Sequence, residues 1–520
     1  MQVSVLTAVQ SAARDRLEIE AGTPSFELMR RAGQRAANTL VERFLPECAR
    51  GICIFVGAGN NGGDGWVIAR EFLGRGFRVS VVIVAPPVTG DARRAMAEVD
   101  LATLQPIVAP GLVVDAILGT GARGTPRPEV NEAIAQIAAL RAGGARVASI
   151  DVPTGIDATT GQCEVAVGAD LTVCLGHWKR GVLARRDRTG ALVLIDIGLR
   201  RYVDGSDAVH GSTGQTPAVP EALFVDADAV QHMVPRIGAL DHKGARRRLL
   251  IVGGAEGMAG ASVLAARAAL RSGIGMIRFC AHPSSHVALQ AACPEGVVIP
   301  WPTRIEHTTA ALSWPHGLLI GPGFGVDRDA RERAERWLEA WRGPVVVDAD
   351  VFTAFAGDTG TLASLLSGRP AVATPHVAEA GRLLGVTTGA VLADPWHVAE
   401  QLATQLQATV LLKGVPTLVA APDRPCLVVA RGTPALGTGG SGDVLAGVIA
   451  TLLAQGVPPQ ESAAAGAFVH GRAAEIAGVG RPVRGVTLED VIHSIPEAWR
   501  LVPDRLGDHE LAVLPQVGED

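Results

Sequence analysis

Short runs of near-continuous Val, Ile and Leu, each long enough for one strand, alternate with helical stretches along most of this 520-residue chain. Their spacing predicts strands at 51–56, 77–85, 111–118, 145–150, 169–175 and 191–197. A second set falls at 247–253, 274–280, 316–320, 344–348, 370–374, 408–413 and 417–421. Helices are predicted between them, including 66–74 and 129–141, and long helices close the second set at 441–455, 459–477 and 487–498. Strands without polar alternation are those buried on both faces, as in a parallel sheet covered by helices. Repeated βαβ alternation is the pattern of an α/β fold. The two sets are separated by VDGSDAVHGSTGQTPAVPEA (203–222), polar and rich in Gly, Ser and Pro, which reads as a linker. Domains are therefore expected at 1–205 and 225–505, with a linker at 206–224 and an acidic tail at 506–520 that frays.

The rest of the composition narrows the partners. The net charge is −5, there is a single tyrosine, and Arg246–Arg247–Arg248 runs straight into a strand, so no basic, aromatic surface for nucleic acid is expected. No stretch of about 18 apolar residues suggests a membrane span, and the N-terminus lacks a signal-peptide pattern. Seven scattered cysteines without C-x-x-C spacing fit a reducing cytoplasm. The expected partners are small molecules.

The loop VGAGNNGGDG (56–65) follows a strand and precedes a helix, and Gly57, Gly59 and Gly62 meet the spacing of a dinucleotide loop. A redox-cofactor site also needs an acid at the end of the next strand for a ribose hydroxyl. That strand ends in Ala85–Pro86–Pro87, and the acid is missing. Two further loops lie at strand C-termini: Asp115 before Leu118–Gly119–Thr120–Gly121, and Asp151–Val152–Pro153–Thr154. With the asparagines they form an all-oxygen set of the kind that suits a hard cation.

VGAGNNGGDGWVIAR, VVDAILGTG and SIDVPTGID resemble the signature loops of NAD(P)H-hydrate epimerases over about residues 1–200. The resemblance implies a Rossmann-like three-layer αβα domain whose nicotinamide dinucleotide is substrate rather than hydride carrier. It implies substrate contacts at Asn60, Asn61, Gly62, Gly63 and Asp64 and at Gly119, Thr120, Gly121, Ala122, Arg123, Gly124 and Thr125. It further implies potassium at Asn61, Asp115 and Thr154, with Asp151 as the acid/base.

In the second block, Gly437–Thr438–Gly439–Gly440–Ser441–Gly442–Asp443 precedes a helix of apolar periodicity. Free N–H groups and the dipole make an anion site there, and Asp443 stands beside it as a candidate general base. Lys413, Asp348, Asp350, His376 and Glu379 follow strands and point to the same sheet edge. With LLIGPGFG, VVVDAD and LLKG, the block resembles ribokinase-like proteins, and more narrowly ADP- or ATP-dependent NAD(P)H-hydrate dehydratases, over 225–500. The resemblance implies a ribokinase-like αβα domain. Ala261, Gly325, His376 and Asp443 would contact the hydrate, and Lys413, Gly414, Val415, Pro416, Thr417 and Gly442 the adenine nucleotide, with Mg²⁺. The chain departs from the family pattern at Val377–Ala378, Pro416 and Thr433. The expected activity is epimerisation of the R and S hydrates (NADHX and NADPHX) and dehydration of the S form with ADP, giving AMP and phosphate, in a homo-oligomer. The rival reading is a kinase of a small alcohol or vitamin precursor fused to a non-catalytic nucleotide sensor.

Overall fold

The computed structural model describes residues 3–199, 222–301 and 305–517, so 206–221 of the expected linker lie outside the described residues. The chain divides into two compact units, Met1–Phe224 with Pro503–Val517, and Val225–Val502.

The six strands expected in the first block form one parallel sheet, with ends trimmed by one or two residues. In spatial order they are Ala191–Ile195, Leu171–Leu175, Arg146–Ile150, Leu112–Ala116, Ile52–Val56 and Val79–Ile83. Side chains along a strand alternate between faces, and here both faces are dry. Ile52, Ile54 and Val56 join one buried cluster with Leu40, Trp66 and Phe72, while Cys53 and Phe55 join another with Ile134 and Ile137. The thiol of Cys53 is thus a core group, as its apolar run predicts. The order reverses between Ile52–Val56 and Leu112–Ala116, which opens a crevice at their C-terminal ends.

Three elements differ from expectation. The helix expected at 66–74 begins at Asn60, so the glycine-rich loop is largely its first turns. Ala222–Phe224, assigned to the linker, pairs antiparallel with Val3–Leu6, which also pairs in parallel with Trp178–Lys179. Phe224 packs there on Trp178, ring centroids 5.4 Å apart. The tail does not fray over its whole length, because Glu510–Leu514 adds antiparallel to Ala191–Ile195 as a seventh strand. Its acidic first residue is buried in an ion pair with Arg43 (2.7 Å), and Ala512 and Leu514 are buried.

In the second unit the strands run, in spatial order, Gly296–Pro300, Met276–Ala281, Arg248–Val252, Gly317–Ile320, Val345–Val347, Ala371–Ala373 and Thr409–Leu412, all parallel. Thr417–Ala421 and Arg424–Val429 continue antiparallel. The reversal lies between Arg248–Val252 and Gly317–Ile320. Gly296–Pro300 and Arg424–Val429 are additional to the expected strands; each is short and carries a proline, which masks its pattern. The helix Ser441–Ala454 lies directly on Ala259–Arg271, where a Cβ on Gly447 would fall 2.1 Å from the Ala265 carbonyl oxygen.

Truncation after Val502 should therefore weaken the first unit rather than the second. Losing buried Leu514 and the Arg43–Glu510 pair should cost about 3 kcal/mol, read as faster hydrogen exchange at the 191–195 amides with the 409–412 amides unchanged.

Candidate functional sites

Both constellations foreseen in the sequence assemble at C-terminal sheet edges, one in each unit. In the first, the glycine spacing has a steric cause. A Cβ on Gly57 would lie 2.0 Å from the Ile117 carbonyl oxygen, and one on Gly62 1.9 Å from that of Gly57. Backbone thus touches backbone across the strand-order reversal, and glycine is the residue that allows it. Gly59 has nothing within 4 Å of its missing side chain and instead lines a cavity of about 530 Å³.

Asn60, Asn61, Asp64, Gly119, Thr120, Gly121, Ala122 and Asp151 line that cavity as well. Gly62 and Gly63 shape it from behind, the latter against Met29 and Ala92. Arg123, Gly124 and Thr125 stay exposed outside it. Below the floor, Asp115 is fully buried. It accepts from the Ser149 hydroxyl (2.9 Å), the Thr154 amide (2.9 Å) and hydroxyl (2.7 Å), and the Ile117 amide (3.3 Å). Burial pushes its carboxyl above the ordinary range, opposed by the Thr154 bonds. Asn61 donates to the Leu118 carbonyl (3.0 Å), while its own buried side-chain oxygen has no partner.

Asp151 holds a left-handed backbone (φ 66°), a conformation uncommon outside glycine. Its carboxylate accepts from Lys179, the Thr120 hydroxyl and the Leu175 amide. Burial works against the charge of Lys179, but Asp151 together with Cys174 and Asp15 keeps the ammonium above the usual lysine range. Two acids share this space. Burial, then Asp151 and Asp15, raises Asp64 well above its ordinary value, and burial raises Asp15 to about 6. Lys179 and Asp15 escape the sequence reading. Lys179 follows the apolar strand LTVCL by a few residues but reads there as one of a Lys179–Arg180 pair; Asp15 sits in a helix of mixed polarity that gave no signal.

In the second unit, Asp348, Thr374 and Lys413 follow neighbouring strands and meet at one edge. The Lys413 ammonium pairs with Asp348 (2.9 Å) and lies 3.7 Å from Glu379. A Cβ on Gly442 would lie 3.2 Å from the Lys413 nitrogen, so the ammonium sits over the first turn of Ser441–Ala454. Charge and helix N-terminus converge there on one anion position. Thr374 donates to Asp348 (2.7 Å), and His376 caps the helix Val377–Leu384 in a reciprocal box with Glu379. Gly325 donates to Asp350 (2.9 Å), and Ala261 lies beneath the glycine loop at Gly323. Gly414 and Val415 are exposed, Pro416 is buried, and Thr417 donates back to the Gly414 carbonyl (3.2 Å). Asp443 stands in the first turn of its helix. Burial, then the neighbouring Asp348, raises its carboxyl to about 7.

Comparison with known proteins follows this division. A model of NAD(P)H-hydrate dehydratases matches residues 249–497, and one of the YjeF-related protein N-terminus matches 25–181. A bifunctional NAD(P)H-hydrate repair enzyme of Moorella thermoacetica is 32% identical over 99% of this chain and 100% of its own. That of Salinibacter ruber is 35% identical over 97% of each, and that of Escherichia coli 31% over 91% and 89%. A solved ADP/ATP-dependent NAD(P)H-hydrate dehydratase from Bacillus subtilis, co-crystallised with ATP and Mg²⁺, overlaps 53% of this chain and 97% of its own. Its identity is 26% and its TM-score 0.48.

The glycines of the first site should separate by substitution. Gly62→Ala should lower the melting temperature of the first unit by several degrees, as overpacking of about 1–3 kcal/mol does. Gly59→Ala should melt within about 1 °C of the parent yet weaken dinucleotide binding measured by calorimetry.

Proposed function

The chain belongs to the bifunctional NAD(P)H-hydrate repair enzymes, and on that premise we propose that its first unit interconverts the R and S hydrates while its second dehydrates the S form. The observation that carries the second half is Asp443, a carboxyl poised near neutrality beside a helix N-terminus and a lysine. Hydration leaves a hydroxyl on carbon 6 of the ring, and hydroxide is a poor leaving group. Asp443 takes the hydroxyl proton, and the oxygen attacks the terminal phosphoryl of ADP, releasing AMP. The ring-nitrogen lone pair then expels phosphate, and loss of a carbon-5 proton restores the dihydropyridine. Lys413 and the exposed amides at Gly442 neutralise the moving phosphoryl charge, and positioning of this kind supplies most of the catalysis in phosphoryl transfer. Mg²⁺ arrives with the nucleotide as part of the co-substrate. A stable phosphorylated product in place of free phosphate would favour the kinase reading instead.

In the first unit, Asp151 faces the cavity with its carboxylate held by Lys179 and the Thr120 hydroxyl, where an acid/base for epimerisation must stand. A potassium ion fits the unpartnered Asn61 oxygen and the Thr154 hydroxyl, with Asp115 supplying charge and orientation through its bonds to Thr154. The ion would hold an oxygen of the dinucleotide near Gly119. Both hydrates are proposed as substrates, and ADP as the nucleotide. All seven cysteines are free and six of them are buried, in keeping with a cytoplasmic protein, and a homo-oligomer is the assembly we propose. Among the described residues, no helix is long and apolar enough to cross a membrane.

Asp443→Asn should lose at least about 10²-fold in dehydration, the scale of a general base, while epimerisation persists; Asp151→Asn should do the reverse. Recovery of reduced-nicotinamide absorbance from mixed hydrates with ADP, and chromatography of the two epimers, read the two activities. Loss of both in either folded variant counts against two separate sites.

Because Asp443 acts deprotonated, dehydration should fall about tenfold per pH unit below about 7 and level off above it. A flat kcat/KM profile across that range would contradict the assignment.

A further inference from the structure

Inversion at a carbon bearing a hydroxyl needs two proton transfers on two faces of the ring. A proton must be given as the hydroxyl leaves, and another taken as water returns from the opposite side. One fixed carboxylate reaches one face, and Asp151 is fixed. Both of its oxygens are occupied by donors from Lys179, Thr120 and the Leu175 amide, which hold the carboxylate in one place.

A second wall of the same cavity is helical. Ala8, Ser11, Ala12, Asp15 and Ile19 recur along one stripe of the helix Ala8–Glu20 and line it. Asp15 is the acid of that stripe. Among the described residues no hydrogen bond or ion pair holds its carboxyl, so the side chain is free to turn to a ligand. We propose that Asp15 is a second acid/base group of the epimerase, serving the ring face that Asp151 does not. The proposal rests on the epimerase reading above.

Charge balance supports the division of labour. Lys179 and Asp151 face Asp15 from the sheet edge and Asp64 from the helix Asn60–Gly74, with Arg14 and Glu18 beside it on its own helix. Three carboxyls share one ammonium, and they cannot all ionise in a buried space. Asp151 takes the lysine. Asp64, raised well above its ordinary value by burial, gives up its proton less readily than Asp15 does at the surface of the cavity. Asp15 is left near the middle of the range, raised by burial to about 6, where it both gives and takes protons. Environments that push carboxyls apart in this way assign the acid and the base.

The step balances without a co-reactant. Asp15 gives its proton to the departing hydroxyl, the carbon–oxygen bond breaks, and the nitrogen lone pair forms a nitrogen–carbon 6 double bond as water leaves. Water adds to the other face, its electron pair forming the new carbon–oxygen bond. The π pair returns to nitrogen, and Asp151 takes the proton. The reverse reaction exchanges the roles, and solvent resets the pair.

The test uses the full chain without nucleotide, with purified R hydrate, chromatographic separation of the epimers and subtraction of spontaneous epimerisation. The wild-type kcat should fall as pH rises through about 6. Asp15→Asn should lower kcat about 10²-fold with KM little changed and abolish that limb, and Asp15→Glu should restore both in part. A folded Asp15→Asn that keeps the rate and the limb overturns the proposal. If that variant does not fold, the wild-type profile decides, and one that is flat through about pH 6 overturns it equally. A wild-type chain that fails to epimerise removes the epimerase reading itself, and this proposal with it.

Discussion

Contact of backbone with backbone at the C-terminal edge of each sheet is the constraint on which both sites depend. In the first unit Gly57 meets the Ile117 carbonyl, and in the second a Cβ on Gly321 would fall 1.9 Å from the Asp348 carbonyl oxygen, and one on Gly253 2.1 Å from that of Pro322. Any side chain at these positions would wedge the loops apart. Because they close, the residues that follow each strand emerge next to one another: Asp115 beneath Asn61, Asp348 beneath Gly442. Two units with different strand orders thus reach the same solution, a floor of bare backbone carrying a rim of polar side chains.

The electrostatic plan is also shared. Each rim gathers several carboxyls around one lysine. In the first, Lys179 pairs directly with Asp151 and only partly offsets the burial of Asp15 and Asp64; in the second, Lys413 pairs with Asp348 and Glu379 and leaves Asp443 raised. A single buried cation cannot compensate three acids, so at least one keeps a proton that ordinary aspartates surrender. A carboxyl raised in this way exchanges its proton near neutral pH, and that is the chemical resource of the site. It follows from counting charges in an enclosed volume more than from any one contact.

Much of this was legible in the sequence, for physical reasons that differ by element. Strand positions were, because residues such as Ile52–Val56 are apolar on both faces, too short for a helix and repeated between helical stretches. The helical state of Asn60–Gly65 was not. Five of those six residues are glycine or asparagine, poor helix formers, and the contacts that select the helix come partly from Ile117, remote in sequence, through its approach to Gly57. Asp443 was legible because its glycines announce an anion site. Asp348 was seen as a strand-end acid, but its pairing with Lys413 depends on neighbouring strands that only the folded sheet supplies. The strand Glu510–Leu514 was hidden by composition. Its flanking acids read as solvated tail until Arg43, far away in sequence, supplies the partner that lets Glu510 be buried.

That last strand gives the polypeptide an unusual order of completion. The first unit is interrupted, its final edge arriving only after the whole of the second has been made. On the ribosome the strand Ala191–Ile195 must wait, one side unpaired, while some three hundred residues are added. An open sheet edge invites pairing with other chains. The second unit's synthesis is therefore a period of exposure for the first, and the emergence of Glu510–Leu514 is what ends it.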